Sequence, residues 1–180
     1  MYGMVNKAVE EMICLTHGKP MWEQVKLRAG VDVDVFISNE AYPDNLTYQL
    51  IAALAELSNS SQEEILQAFG EHWLNRTAAD GYGALMEAGG STLPEFLANL
   101  PNLHSRITLI HPGLEPPHFT VESVGTRSLR LHYRTHRPGL TPFVVGLLQG
   151  LGQRFSTPVR VHLDQSRDAG ADHDIFLVEW

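Results

Sequence analysis

Residues 131–140 read LHYRTHRPGL, and counting by twos separates two unlike faces. Leu129, Leu131, Tyr133, Thr135 and Arg137 fall on one side, Arg130, His132, Arg134 and His136 on the other. The second set is a solvated face, so the first should look into a core. That inward face ends in a phenol, a hydroxyl and a guanidinium, three hydrogen-bond donors two residues apart. Such a row suits a buried or half-buried carboxylate, which a guanidinium grips with two parallel bonds. A strand end running out into water would also be polar, and the row alone does not choose between the two.

A second oddity lies upstream. Spacings of three and four connect Leu93, Leu97, Leu100, His104 and Ile107, so a histidine occupies a slot where a helical stripe asks for leucine. A core histidine bonded inside the protein is one reading. The other is axial ligation of a buried haem iron, in which imidazole binds the metal while the apolar wall keeps water away. Haem brings two propionates, and Tyr133, Thr135 and Arg137 would supply their donors. The histidine and the row explain each other better than either explains itself.

A histidine on a long helix, a proline thirteen residues after it and a following Tyr-x-Ser-x-Arg together resemble the signature of the H-NOX family. These are haem–nitric oxide/oxygen binding domains related to the sensor of the soluble guanylate cyclase β-subunit. This chain has His104, Pro117 and Y-R-T-H-R, with Thr135 in the serine position. The opening MYGMVNKAVEEM, the stretch ILQAFGEHW and GADHD near the end carry the resemblance over essentially the whole chain. It implies that His104 is the proximal ligand of haem b, that Tyr133, Thr135 and Arg137 hold the propionates, and that Pro117 presses on the porphyrin and distorts it. It also implies a gas sensor, a binding module and not an enzyme. The expected receiver is a downstream signalling protein such as a histidine kinase, a cyclic-dinucleotide enzyme or guanylate cyclase.

Two departures from the family pattern bear on function. Threonine at 135 keeps the hydroxyl but adds a methyl. Oxygen-binding members carry a tyrosine early in the helix after the motif, where this chain reads GLTPFVVGLLQG. The remaining candidate distal wall is Val5, Phe69, Trp73, Phe143 and Leu147, whose one donor is the Trp73 indole. Dioxygen on ferrous haem is polarised and gains from a donor, whereas nitric oxide and carbon monoxide need one far less. The expectation is therefore a domain that binds nitric oxide and carbon monoxide and forms no stable oxygen complex. Its expected switch is cleavage of the bond between iron and His104, followed by flattening of the haem.

Competing readings find less support. A peroxidase-like haem enzyme needs distal acid–base groups, which that wall does not offer. A haem-free interaction domain would leave the inward row without an anion. His162, Asp164, Asp172, His173 and Asp174 could hold a divalent ion, but a polar hairpin connection is the simpler expectation. Cys14 reads as a small buried residue. GYG at 81–83 and GLLQGLG at 146–152 lack the lysine and the strand-before-helix context of a phosphate loop.

The elements that must position these residues divide into two textures. Helical patterns run through the first two-thirds, including Asp44 to Leu57, a Ser61–Glu64 capping box before QEEILQAFGEHWLN, a short helix at YGALMEAG, and LPEFLANLPNLHSRITLI with an irregularity expected at Pro101. After the break HPGLEPPH come two strands, HFTVESV and RSLRLHYRT, then the helix LTPFVVGLLQGLGQRF and the strand pair PVRVHLDQ and DIFLVEW. The class is α+β: a helical lobe over about 1–60 and a haem-enclosing lobe with antiparallel sheet over about 61–180, forming one domain. A net charge of −8 argues against nucleic acid as a partner. No apolar run approaches the roughly eighteen residues of a membrane span. A single cysteine excludes an internal disulfide framework and fits a reducing compartment, and the charged opening is unlike a signal peptide, so the expected location is the cytoplasm.

Overall fold

The computed structural model describes residues 1–110 and 114–180. Three helices open the chain: α1 (Gly3–His17), α2 (Lys19–Ala29) and α3 (Asp44–Ser58). Pro20 sits in the first turn of α2, and Gly30, at φ 66°, closes it in the left-handed conformation that glycine adopts without strain. α4 (Gln62–His72) starts at the expected capping box: Ser61 accepts from the Glu64 amide, and the Glu64 carboxylate accepts from the Ser61 amide.

The next segment departs from the sequence expectation. Instead of breaking before YGALMEAG, the chain passes from α4 through a π-helical stretch, Trp73–Ala78, directly into α5 (Ala79–Glu87). Wider turns of this kind change which side chains share a face. Here they bring Trp73, Leu74 and Ala78 to the wall of one cavity. α5 is itself kinked at Tyr82, whose φ of −132° and ψ of 20° are not helical.

α6 (Leu93–Ile110) is the expected single long helix and runs unbroken with Pro101 inside it. The first three residues of the HPGLEPPH break, 111–113, lie outside the described residues. β1 (His118–Gly125), β2 (Ser128–Arg134), α7 (Thr141–Arg154), β3 (Arg160–Gln165) and β4 (Asp174–Glu179) complete the chain. The antiparallel sheet has the order β1-β2-β4-β3. Across the β2–β4 ladder, Leu129 faces Val178, Leu131 faces Phe176 and Tyr133 faces Asp174, and all six are buried. The alternation read from the sequence holds along β2, but the strand ends at Arg134, leaving Thr135 and Arg137 in the loop beyond it.

Two hydrophobic cores result. The first joins Val9, Ile13, Trp22, Leu50 and Leu54 and draws in Ile65, Leu66 and Phe69 from α4. The second packs α6 and α7 against Leu129, Leu131, Phe176 and Val178 of the sheet. α4 and α7 cross at glycine contact distance: a methyl group on Gly70 would lie 2.2 Å from the Phe143 carbonyl oxygen, and one on Gly146 would lie 2.0 Å from that of Gln67. Gln67 also donates to Gln149 across the pair at 2.7 Å. No helix among the described residues is long and apolar enough to cross a membrane.

The crossing makes a direct prediction. Gly146→Ala forces backbone against backbone and should destabilise the fold by about 1–3 kcal/mol, as overpacking does. The check is the midpoint of urea unfolding; an unchanged midpoint would mean that α4 and α7 can part without cost.

Candidate cofactor pocket

One apolar cavity of about 270 Å³ lies between the two cores. All ten residues singled out from the sequence line it: Val5, Phe69, Trp73, His104, Pro117, Tyr133, Thr135, Arg137, Phe143 and Leu147. They come from α1, α4, the π-helical stretch, α6, the segment before β1, β2 and its following loop, and α7. Residues separated by more than a hundred positions thus meet at one surface.

His104 sits in mid-α6, one turn after the buried Leu100, with its ring centroid 4.9 Å from that of Phe119. Its Nδ1 is 2.9 Å from the Leu100 carbonyl oxygen. A carbonyl only accepts, so Nδ1 carries the proton, and in the neutral ring Nε2 keeps its lone pair. Burial pushes the imidazole below its ordinary pKa, outweighing the opposing pull of the Leu100 bond. The ring is therefore neutral at physiological pH.

The donor row is more engaged than its sequence implied. Tyr133 is buried, and its pKa is pushed up to about 12, chiefly by burial and further by Asp174, while Thr135 and Arg137 pull the other way. It remains a phenol, hence a donor, throughout the physiological range. The Thr135 hydroxyl accepts from the Arg137 amide at 3.1 Å, folding the loop back on itself. Arg137 Nε donates to Asp44 at 2.8 Å, and its terminal nitrogen donates to the Glu115 carbonyl at 3.0 Å. An anion for this arginine is thus supplied from within the protein, by the first residue of α3. The expectation that the row would stand without an anion unless a ligand brought one is corrected for Arg137.

Asp44 has a further partner in the Met1 amino group. Burial alone would raise its pKa, but the hydrogen bonds from Met1 and Arg137 outweigh burial and hold it below the ordinary 3.8. One turn along α3, Tyr48 donates to the Pro138 carbonyl at 2.9 Å. α3 therefore grips the loop after β2 at two points. The sequence offered one signal for this: an acidic residue at a helix start, four positions before a tyrosine.

The distal wall also needs a correction. Phe69 stacks at 5.2 Å from Phe143 and meets Trp73 edge-on at 6.1 Å, an aromatic cluster as expected. Trp73 is not the wall's one donor, however, because Tyr2 and Tyr82 line the same cavity. The Tyr82 hydroxyl lies 3.4 Å from the Met4 sulfur. Tyr82 stands in the GYG that lacks a phosphate loop's context, at the helical kink, and lines the cavity.

Outside the cavity the polar tail resolves into bonds rather than a metal cluster. Arg130 pairs with Asp164 at 3.0 Å, Asp172 with His173 at 2.9 Å, and His173 with His132 at 2.9 Å. His132 is thus half-buried against a second ring and is not part of a freely solvated face. No three His, Cys, Asp or Glu side chains among the described residues could hold a metal ion. Cys14 is half-buried, with its thiol pKa raised by burial and by Glu10.

Residues 2–163 match the family model described as Haem-NO-binding. The chain belongs to this family. H-NOX domains are haem-binding gas sensors, and the domain itself senses rather than catalyses. Among curated proteins, the chain is 29% identical over its whole length to soluble guanylate cyclase gcy-31 of Caenorhabditis elegans, covering 26% of that protein. It is 31% identical to guanylate cyclase soluble subunit beta-2 of Rattus norvegicus over 64% of this chain and 18% of that protein. The chain therefore spans about a quarter or less of these relatives. Among solved structures, the H-NOX protein of S. oneidensis in the Fe(II)NO state superposes with a TM-score of 0.90 at 19% identity, covering 99% of this chain and 98% of that one. The unliganded Fe(II) H-NOX protein of K. algicida gives 0.85 at 22%, with 99% and 96% covered. At these identities the likeness shows the shared fold.

The Asp44–Arg137 pair makes a prediction with a definite sign. A carboxyl whose folded pKa is depressed adds stability above its unfolded value and loses it as pH falls through the folded one. Asp44→Asn should lower the melting temperature near pH 7, and the gap to the parent should close as pH falls below the ordinary 3.8 of the carboxyl. A gap that stays constant with pH would mean that the charge on Asp44 does not contribute.

Proposed function

We propose that this H-NOX domain binds haem b with His104 as the proximal ligand and senses nitric oxide and carbon monoxide. The observation that carries the reading is the neutral His104 imidazole, whose Nδ1 proton is committed to Leu100 while Nε2 keeps a lone pair on the wall of an apolar cavity. That donor set fits the group. Tyr133 and Thr135 give hydroxyls to the propionates, and Arg137, which uses one N–H on Asp44 and another on Glu115, still has N–H groups for a second carboxylate. Pro117, on the same cavity wall, would be the residue that presses on the porphyrin.

Bound haem would supply an iron able to take a diatomic gas on the side away from His104. Val5, Phe69, Trp73, Phe143 and Leu147 form the wall there and exclude water. α7 presents Phe143 and Leu147 but no tyrosine, and the Tyr82 hydroxyl is turned to a thioether. With no tyrosine on α7 to donate to bound dioxygen, the domain discriminates against it. With haem held in this way, a gas that weakened the bond to His104 would free α6, and Pro117 would bear on the change. Arg137 and Asp44 carry the change towards α3 and the amino-terminal helices.

The whole chain, 1–180, acts as one domain of two lobes, the helical one over about 1–60. Its receiver is a signalling protein such as a histidine kinase, a cyclic-dinucleotide enzyme or guanylate cyclase, and the cyclase relatives favour the last. A free cysteine is in keeping with a cytoplasmic setting.

His104→Gly should lose haem unless imidazole is added to the medium, read from the ferrous absorption spectrum. Haem content equal to the parent, with and without imidazole, would refute the assignment. Arg137→Ala should release haem about tenfold faster than Thr135→Ala, since a charged fork holds a carboxylate better than a neutral hydroxyl. Equal rates would overturn that ranking. The reduced protein should bind nitric oxide and carbon monoxide; a persistent oxy spectrum in air would contradict the discrimination, and Tyr82→Phe would then show whether this phenol supplies the donor.

A further inference from the structure

Asp174 is only 5% exposed, at the start of β4 opposite Tyr133 in the ladder. A buried carboxylate is costly unless its oxygens are satisfied. Both are. Oδ2 accepts from the Thr141 hydroxyl at 2.7 Å, and Oδ1 accepts from the Arg167 amide at 2.7 Å. Thr141 is the first residue of α7, the helix that carries Phe143 and Leu147. The Arg167 guanidinium in turn donates to the Thr135 carbonyl at 2.7 Å. Three connections thus converge on one side chain: across the ladder to Tyr133, through Arg167 to Thr135, and through Thr141 to the distal helix. A small polar niche lined by Tyr133, Thr135, Arg137, Thr141, Arg167 and Asp174 lies where they meet.

We propose that Asp174 is a positioning residue for the cofactor, fixing the Tyr133–Thr135–Arg137 row relative to the start of the distal helix. The inference rests on the haem reading of the cavity. Asp174 lies in this niche and is not among the residues that line the apolar cavity; it acts through Thr141, through Arg167 and through its field on Tyr133. A negative charge beside the phenol favours the protonated form, so Tyr133 remains a donor to an anion. The same carboxylate at the first turn of α7 also suits the positive end of that helix. Nothing in the local sequence GADHD distinguishes Asp174 from Asp172, which is 83% exposed in its side chain. The burial difference follows from where β4 begins: Asp174 is its first residue, paired with the buried Tyr133, whereas Asp172 precedes the strand.

The test uses Asp174→Asn and Thr141→Val, each nearly isosteric. In the haem-loaded protein, both should speed haem transfer to excess apomyoglobin about tenfold, the size expected for losing one buried hydrogen bond to a charged group. The double variant should be no faster than the faster single variant, because both changes act on the one Thr141–Asp174 bond, which Asp174→Asn strips of its charge and Thr141→Val removes. Removing a negative charge near two propionates would by itself slow release, so faster release identifies the hydrogen bonds as the cause. In the haem-free protein, the Tyr133 phenol, assigned in the ultraviolet titration by comparison with Tyr133→Phe, should ionise at lower pH in Asp174→Asn and at unchanged pH in Thr141→Val. Parental haem transfer in both variants, with only the melting temperature lowered, would overturn the proposal. If Asp174→Asn does not fold, Thr141→Val decides by the same transfer measurement. If the parent protein takes up no haem, the reading of the cavity fails, and the phenol titration alone judges Asp174: an unmoved Tyr133 overturns its role.

Discussion

A histidine in the middle of an apolar helix face has two ring nitrogens to account for, and the pocket is organised around how His104 does so. One nitrogen is committed to the Leu100 carbonyl a turn earlier, a bond that α6 can provide because helical geometry brings residues i and i+4 together. That bond fixes the ring's tautomer, and burial keeps it uncharged. A charged imidazole at this place would need an anion beside it, and the neighbouring lining residues Leu100, Leu103 and Phe119 offer none. A neutral imidazole with one committed nitrogen is instead a ready metal ligand, and the apolar surroundings become an asset. The rest of the fold brings a wall and a row of donors to this ring.

The donor row is held in place before any ligand arrives. Arg137 would otherwise be a long, rotamer-rich side chain, costly to order on binding. Asp44 and the Glu115 carbonyl restrain it from two sides, while Tyr48 pins the adjacent Pro138 carbonyl. The consequence is preorganisation: the guanidinium keeps a fixed direction, and a bound carboxylate does not have to pay for it. It also makes Arg137 a shared residue. Whatever grips it from the cavity pulls against α3, and this connects the ligand end of the pocket with the amino-terminal core.

Much of this is legible in the sequence, and the part that is not has a common cause. The Leu93-to-Ile107 stripe, the Ser61–Glu64 cap and the alternation along residues 129–133 are local patterns, each set by a period or by a hydrogen bond spanning a few residues. The structure reproduces them. Asp44 shows only as an acidic helix start, and Tyr82 and Asp174 not at all, because their roles depend on residues 93, 78 and 33 positions away: Arg137, Met4 and Thr141. The π-helical stretch at Trp73–Ala78 is equally hidden, since no motif in WLNRTA marks a wider turn. Pro101 behaves contrary to its local chemistry. Its missing N–H removes one helical bond, but the buried Leu97 and Leu100 before it hold α6 against the sheet, and tertiary packing outweighs the local cost.

The distal wall is where the two cores join, and this constrains how the molecule can respond. Phe69 belongs to the amino-terminal core, Leu147 packs on the second, and Trp73 packs on both. Any ligand pressing on this wall therefore loads both cores at once. α4 and α7, which supply most of it, cannot slide over each other, because backbone meets backbone at Gly70 and Gly146. Close-packed interfaces of this kind do not deform continuously; they stay as they are or move as a unit. The compliant contacts are the ones made by side chains: Arg137 to Asp44, Tyr48 to Pro138, and Tyr82 to Met4. Each joins an amino-terminal helix to the remainder of the chain. The amino-terminal helices are thus tied to the remainder of the chain by these polar contacts and by the apolar packing of Ile65, Leu66 and Phe69 in the first core.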